Sequence, residues 1–411
     1  MPARSGSLRV PMRLGALASL TLAVAACGGP SADLTDLAGN TGKREAVSKE
    51  YGDLLQGTTA EETARHTIGR TEFVRVRTPA TGLGPVMTGA ACLFCHDAPP
   101  AEGGTNQRLE TRFGRRNEDG SFDPLLSLGG PMLQDQSVGS VNGATWTPEK
   151  VPAEANVVAQ RRTTPLFGLG LVDATADATF LAIAAWQKAH DPAATGRPAM
   201  VPEIGASALR VGRFGWKAAL PTLLQFNADA FLNEVGITTP RFPDENCPQG
   251  NCASLAQNPS PGVNDPDGSA LAQVNDFVRF LGPPPRGAPG SGSAMFAAIG
   301  CSFCHVQTLV TAPNASGAFD RVAYHPFSDF LLHDMGSLGD GIDQGDAKGA
   351  EMRTQPLWGV SQQTRLLHDG RARTIADAIL AHDGQGKPAR DRFAALSDSE
   401  RRVLVTFLDT L

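Results

Sequence analysis

Apolar residues recur at helical spacing along much of the chain and alternate almost nowhere. Leu271, Val274, Val278 and Leu281 share one helical face, and residues 177–190 and 398–411 also read as helices. In the last of these, Ser397 and Glu400 make a capping-box pattern ahead of Val403, Leu404, Phe407, Leu408 and Leu411. Ser293 is placed to cap a short helix over 294–299, with Met295, Phe296 and Ile299 at i, i+1 and i+4. The one brief period-two stretch, residues 71–77, is a candidate strand. Residues 282–292, Gly-Pro-Pro-Pro-Arg-Gly-Ala-Pro-Gly-Ser-Gly, are the clearest linker. The expected fold is mainly α and loop-rich, with a domain boundary near residue 283: an N-terminal domain over 61–282 and a C-terminal one over 283–411.

The first residues read as an address. Arg4, Arg9 and Arg13 precede an apolar run over 14–26, the size of a signal-peptide core and too short to span a bilayer. It ends Leu-Ala-Val-Ala-Ala-Cys27, which resembles a bacterial lipobox; the bland alternative is an ordinary signal peptide with an incidental cysteine. The expectation is a signal peptide over 1–26, lipid on Cys27 and a flexible tether over 27–60. Gly28, not aspartate, follows the cysteine, so the sorting rule for such lipoproteins favours the outer membrane, facing the periplasm or the cell exterior. Elsewhere no apolar run reaches the ~18 residues of a spanning helix, so membrane contact is expected through the anchor alone.

Composition narrows the function. Of 411 residues, 41% are hydrophobic and 19% charged, enough for a packed core. Acidic residues (42) outnumber basic ones (36), and losing residues 1–26 removes three arginines and no acid, taking the net charge from −6 to −9. Nothing there suits a nucleic-acid phosphate backbone.

The seven cysteines carry most of the chemistry. Four lie in Cys92-Leu93-Phe94-Cys95-His96 and Cys301-Ser302-Phe303-Cys304-His305, each the C-x-x-C-H attachment motif of a c-type haem. Two thiols one helical turn apart add to the two vinyl groups of one porphyrin, and the adjacent histidine reaches the iron. Composition alone would produce roughly 0.002 such matches, so two copies are not accidental. A zinc site or a thioredoxin-like dithiol is the alternative for C-x-x-C, and neither needs the histidine. Cys247 and Cys252 flank a Pro-Gly turn; in an oxidising compartment they suit a structural disulfide, with a redox-active pair as the alternative.

The plan is duplicated. Arg162-Thr163-Thr164-Pro165-Leu166-Phe167-Gly168 matches Arg353-Thr354-Gln355-Pro356-Leu357-Trp358-Gly359 at five of seven positions, 66 and 48 residues after His96 and His305. Ile375, Ala378, Ile379 and His382 fall on one helical face, which makes His382 a candidate sixth ligand for the haem of His305. Met335 is the rival ligand, and a core histidine the alternative role for His382. Between His96 and Trp216 the only histidine is His190, and Met87, Met132 and Met200 lie in loop-like sequence; an open haem at His96 is expected.

These motifs together resemble the di-haem oxidoreductases with two C-x-x-C-H sites, formerly labelled thiol oxidoreductases, within the bacterial di-haem cytochrome c peroxidase superfamily. The matching stretches are residues 82–85, 162–171, 213–218, 233–238, 333–336 and 366–371. The resemblance implies two cytochrome c-like domains, two covalent haems c and a calcium ion between the domains. It implies an electron-donating haem in the second half whose methionine ligand falls 14 residues after the histidine of His368-Asp369-Gly370; that position here is His382. A histidine there lowers that haem's potential and departs from simple peroxidase behaviour. It also implies Trp216 between the haems, with Gln225 and Glu234 above the peroxidatic one and Glu234 as acid–base carboxylate. The distal histidine of the peroxidases is missing, in which respect the chain is similar to the methylamine dehydrogenase maturation enzyme.

The function so implied is a peroxidase-like oxidoreductase acting on hydrogen peroxide or on a protein or small-molecule substrate. Its electron partner would be a small carrier, a cytochrome c or a cupredoxin-like protein. The alternatives are a non-enzymatic di-haem electron shuttle and a thiol oxidoreductase using Cys247 and Cys252.

Overall fold

Three helices form the frame of the first half. In the computed structural model, which describes residues 34–97, 101–288 and 290–411, Ala60–Phe73 packs along Ser269–Phe280, and Leu223–Asn233 packs on the latter's other side. Leu271, Val274, Val278 and Leu281, the face read from its spacing, are buried, and Phe277 and Phe280 are buried with them. The crossing of Ser269–Phe280 with Ala60–Phe73 is close because residue 69 is glycine: a Cβ there would meet the Gln273 carbonyl oxygen at 2.1 Å. Ala60–Phe73 starts in a capping box between Thr59 and Glu62 and runs through Phe73. The strand expected over 71–77 is therefore absent; the brief alternation there is the buried end of a helix running into its cap at Val74.

Helix accounts for 32% of the chain and strand for 16%, with long loops between. The largest ladder went unread in the sequence. Leu109–Arg116 pairs antiparallel with Val157–Arg162, setting Glu110 opposite Arg161 and Arg112 opposite Ala159. Asp177–His190 forms as expected, and Asp398–Leu408 starts in the Ser397–Glu400 capping box. The short helix of the second half is Gly292–Ala298. It packs on Asp398–Leu408 so tightly that a Cβ on Gly292 would meet the Phe407 Cβ at 2.4 Å.

Among the described residues two larger apolar cores result, beside a small cluster of Ala199, Val201, Ala218, Leu332 and Ala347. One gathers Phe73, Phe180, Leu223, Phe231, Val274 and Phe277 with Leu309, Tyr324, Phe330 and Trp358 from beyond the proline-rich stretch. The other is built from Phe296, Ile299, Phe327, Leu366, Phe393, Leu404 and Phe407. The duplicated segments meet: a Cβ on Gly168 would lie 2.7 Å from the Trp358 ring. Both repeats end in glycine at the same left-handed φ, +72° at Gly168 and +70° at Gly359, and each glycine opens a short helical turn.

Residues 34–60 correct the expectation of a tether. Arg44 and Glu45 pair in parallel with Val322 and Ala323, and the Arg44 guanidinium donates to the carbonyls of Gln56, Gly317 and Ala318. Ala46 and Leu55 are buried in the first core, so apolar burial and a completed sheet edge hold this segment down. The signal peptide expected over 1–26 and the lipid site expected at Cys27 lie outside the described residues, as do residues 28–33. Cys247 and Cys252 are joined by a disulfide, S–S 1.98 Å. Among the described residues no helix is long and apolar enough to cross a membrane.

Candidate active site

Each C-x-x-C-H motif sits on a tight helical turn. His96 N–H donates to the Cys92 carbonyl (3.1 Å) and His305 N–H to the Cys301 carbonyl (2.9 Å), and in each motif both thiols and the imidazole line one cavity. In both motifs the imidazole Nδ1 faces a backbone carbonyl: Gly104 O at 3.2 Å for His96 and Phe327 O at 2.8 Å for His305. Such a bond places the proton on Nδ1 and leaves Nε2 free to ligate. Burial, the largest influence on each, lowers both imidazoles to about 4, which keeps them neutral.

The second cavity, about 340 Å³, is lined by His305 and His382 and also by His333 and His368. Ile375, Ala378, Ile379 and His382 all line it, as their common face predicts, although the helix Ile375–Leu380 ends two residues before His382. His382 Nδ1 faces the Ala378 carbonyl at 2.8 Å, again leaving Nε2 free. The His305 and His382 rings lie 6.5 Å apart, centre to centre. With ~2.0 Å from nitrogen to metal and ~1.2 Å from nitrogen to ring centre, two imidazoles on opposite sides of one metal stand ~6.4 Å apart. The pair fits a metal held between them. Met335 lines the same cavity but packs beside His382, both within about 3 Å of the place a Cβ on Gly386 would take.

The first site differs. His96 lies between two smaller cavities, about 100 and 50 Å³, whose lining contains no second histidine and no methionine among the described residues. Both are lined by Glu234. This residue caps the C-terminus of Leu223–Asn233, and its carbonyl accepts from Thr88 N, Thr88 Oγ1 and Gly89 N, tying it to the loop that leads to Cys92. Its carboxyl is pushed up to about 8, by burial first and then by Glu110 and Asp229. Glu110 and Arg112, bonded at 2.9 Å, project into the same cavity from the unread ladder.

Gln225 is a correction. Phe226, Asp229, Ala230 and Glu234 line the cavities at i, i+3, i+4 and i+8, and Gln225 is turned away from that face. Its amide accepts from Ile204 N (2.9 Å) and donates to the Pro202 carbonyl (3.3 Å), so it pins a loop and does not sit above His96.

Trp216 lines both the His305 and the His96 cavities, forming their shared wall. Its Nε1–H donates to the Arg162 carbonyl (3.0 Å), and the His368 ring meets it edge-on at 6.2 Å. Arg161 and Lys217 stand behind this wall on Asp340 of the second half. Glu110, Arg112, Asp229 and Arg162 were missed as site residues; only Arg162 left a trace, as the first position of the repeat. Among the described residues, the one grouping of three His, Cys, Asp or Glu side chains able to share an ion is Cys304, Asp329 and His333.

No curated protein matches the chain. Two solved structures are similar at low identity. Hydrazine synthase of Kuenenia stuttgartiensis is 14% identical, with TM-score 0.37, over 99% of this chain and 100% of that one. A MauG-like protein associated with microbial copper homeostasis is 13% identical, with TM-score 0.38, over 89% and 93%. A family model described as "Di-haem oxidoreductase, putative peroxidase" matches residues 133–411, a span that takes in Trp216, Glu234, the second C-x-x-C-H and His382. With more than half of its length so matched, the chain belongs to the di-haem oxidoreductase family.

Proposed function

We propose that the protein is a peroxidase-like di-haem enzyme, with an open catalytic haem c at Cys92, Cys95 and His96 and an electron-transfer haem c at Cys301, Cys304, His305 and His382. The observation that carries this is the asymmetry of the two cavities. One has a second imidazole at ligating distance across from the first, and the other has a buried carboxyl, Glu234, in its lining. A bound haem supplies an iron that exchanges electrons and, where a coordination position is open, takes up peroxide.

The chain's own residues supply the rest. Glu234, in its ionised form, would accept a proton from one oxygen of hydrogen peroxide and return it to the other as the O–O bond breaks, so that this second oxygen leaves as water. Burial first, and then neighbouring Glu110 and Asp229, raise the affinity of Glu234 for a proton, so the ionised form that starts the transfer gains population as pH rises. Trp216 bridges the cavities as an electron relay. One turnover consumes hydrogen peroxide, two electrons and two protons and yields two waters, the electrons coming from a small carrier such as a cytochrome c or cupredoxin-like protein. Thiol chemistry has less support: Cys247 and Cys252 are already bonded, and burial pushes the Cys92 thiol to about 12 and Cys95 to about 11, away from the reactive thiolate. Calcium at the inter-haem wall has less support too, because Arg161, Arg162, Lys217 and Arg353 already gather positive charge there.

Mixing the pre-reduced holoprotein with hydrogen peroxide in a stopped-flow spectrometer tests the reading. Rapid oxidation of both haems with one peroxide consumed per two electrons supports it; haems that stay reduced favour the electron shuttle. Lipid anchoring at Cys27, facing the periplasm or exterior from the outer membrane, belongs to the same proposal, and radiolabelled palmitate incorporation that vanishes in Cys27→Ser checks it.

A further inference from the structure

Both copies of the repeated segment begin with an arginine, and both arginines are buried at the same wall: Arg162 is 6% exposed and Arg353 7%. Both line the His305–His382 cavity. Their hydrogen bonds differ. Arg353 is occupied by oxygens: Nε donates to Gly215 O (2.6 Å), Nη1 to Thr354 O (3.3 Å) and Nη2 to Gln355 Oε1 (2.9 Å). Arg162 donates from Nε to Leu367 O (2.8 Å) and lies over the Trp216 ring at 5.3 Å, but its Nη1 is buried with no acceptor. Gln355, held by its oxygen, likewise has a buried Nε2 with no acceptor.

Two unmet donors, one fully charged, therefore share one cavity. Leaving a buried donor unpaired is costly, and more so when it is charged, so such a pair marks a place where something binds. Its chemistry is that of an anion accepting two N–H bonds. Among the described residues no carboxylate is placed to supply it: burial alone acts on Arg162, pulling it down to about 10. A c-type porphyrin carries two propionate carboxylates on the edge away from the vinyl groups, and Cys301 and Cys304, which would take the vinyls, line this same cavity.

We propose that Arg162 and Gln355 form the carboxylate site for the propionates of the haem attached at Cys301 and Cys304, so that the first half of the chain supplies the cation that neutralises the second half's haem. This rests on the reading that a haem occupies the cavity. The cation also lies against Trp216, so one charge acts on the haem and on the relay together. A positive charge at the propionates favours the reduced haem, and an ionised propionate favours the oxidised one.

Spectroelectrochemical titration of the low-spin haem in the holoprotein, from about pH 5 to pH 8, tests the proposal. The wild-type potential should stay flat, because a carboxylate held by arginine remains ionised throughout. Arg162→Gln should disfavour reduction about tenfold, which is about 59 mV for one electron. It should also make the potential fall with rising pH as the released propionate titrates. Arg162→Lys should restore most of both, and Gln355→Leu should give a smaller shift of the same sign even if Arg162→Gln fails to fold. The other charged or titratable groups lining the cavity, Asp191, His333, Arg353, His368, Arg390 and Arg392 besides the two imidazoles, are common to all variants and cancel in the comparison.

An unchanged potential and pH profile in Arg162→Gln, with both haems still attached, overturns the proposal. So does an equal shift in Arg162→Lys, which would make the role one of packing. A wild-type potential that moves on adding chloride or acetate also overturns it, because the site would then be open to solution anions. Absence of covalent haem from the wild type would instead defeat the underlying reading.

Discussion

Replacing Asp340 by alanine should destabilise the protein by about 3–5 kcal/mol, with a pH dependence that identifies the cause. Among the described residues, Asp340 alone is ion-paired with two buried cations from the first half: Arg161, whose Nε donates to it at 2.8 Å, and Lys217, whose Nζ lies at 2.9 Å. All three side chains are at most 2% exposed, so solvent does not screen them. Burial pushes the Asp340 carboxyl up, but Arg161 and Lys217 outweigh it and hold it below its usual value. Without it, Arg161 stays charged, with Gln344 Oε1 (2.5 Å) still accepting. Lys217 keeps its carbonyls of Lys348, Gly349 and Glu351 but has another way out, which is to lose its proton.

Burial already lowers Lys217 from 10.5, and deprotonation at pH 7 costs at most about 4.8 kcal/mol, at about 1.36 kcal/mol per unit. If Lys217 is neutral in the folded variant and charged when unfolded, the unfolded state binds the extra proton. Stability of the variant then rises with pH, by up to about 1.4 kcal/mol per unit between pH 7 and 9, relative to wild type. Urea unfolding followed by Soret circular dichroism measures both numbers without adding salt that would screen the pair. A loss under about 1 kcal/mol, or one that stays constant from pH 7 to 9, would refute the triad as the lock between the two halves.

The remaining predictions concern the haem sites. Denatured mature protein should retain two haem mass increments, while Cys301→Ala/Cys304→Ala should retain one. His382→Ala should convert the low-spin haem to high spin and raise its potential, and Met335→Ala should not; the reverse result transfers the ligand role to Met335. Because Glu234 is raised to about 8 and is needed first as a base, the peroxide reaction should speed up as pH rises through that value. Glu234→Gln should remove the pH dependence and slow the reaction about 10²–10⁴-fold while leaving resting spectra unchanged; a wild-type rate in that variant excludes it from proton transfer.

What the sequence disclosed followed the physics of each element. Ser269–Phe280 and Asp398–Leu408 were legible because one face of each is apolar and, in the latter, the cap is local. His382 could be placed at the His305 cavity because its face keeps helical spacing even two residues beyond the helix end. The ladder Leu109–Arg116 was hidden by its own role: Glu110 and Arg112 point into a cavity, so polar residues occupy the face that would otherwise carry the alternation. Gln225 was misplaced because family order fixes sequence separation but not helical rotation, and one residue is about 100°. The packing of residues 34–60 rests on a partner strand nearly 280 residues away, Val322–Tyr324, which no local pattern encodes.

The central claim is that the two haem sites differ in coordination, one bis-histidine and one open beside Glu234. An electron paramagnetic resonance spectrum of the resting, fully oxidised holoprotein near neutral pH tests it most directly. The account predicts one low-spin and one axial high-spin ferric signal in equal amounts, the high-spin signal retained in His382→Ala and joined there by a second. Two low-spin signals of equal intensity in the wild type would contradict it.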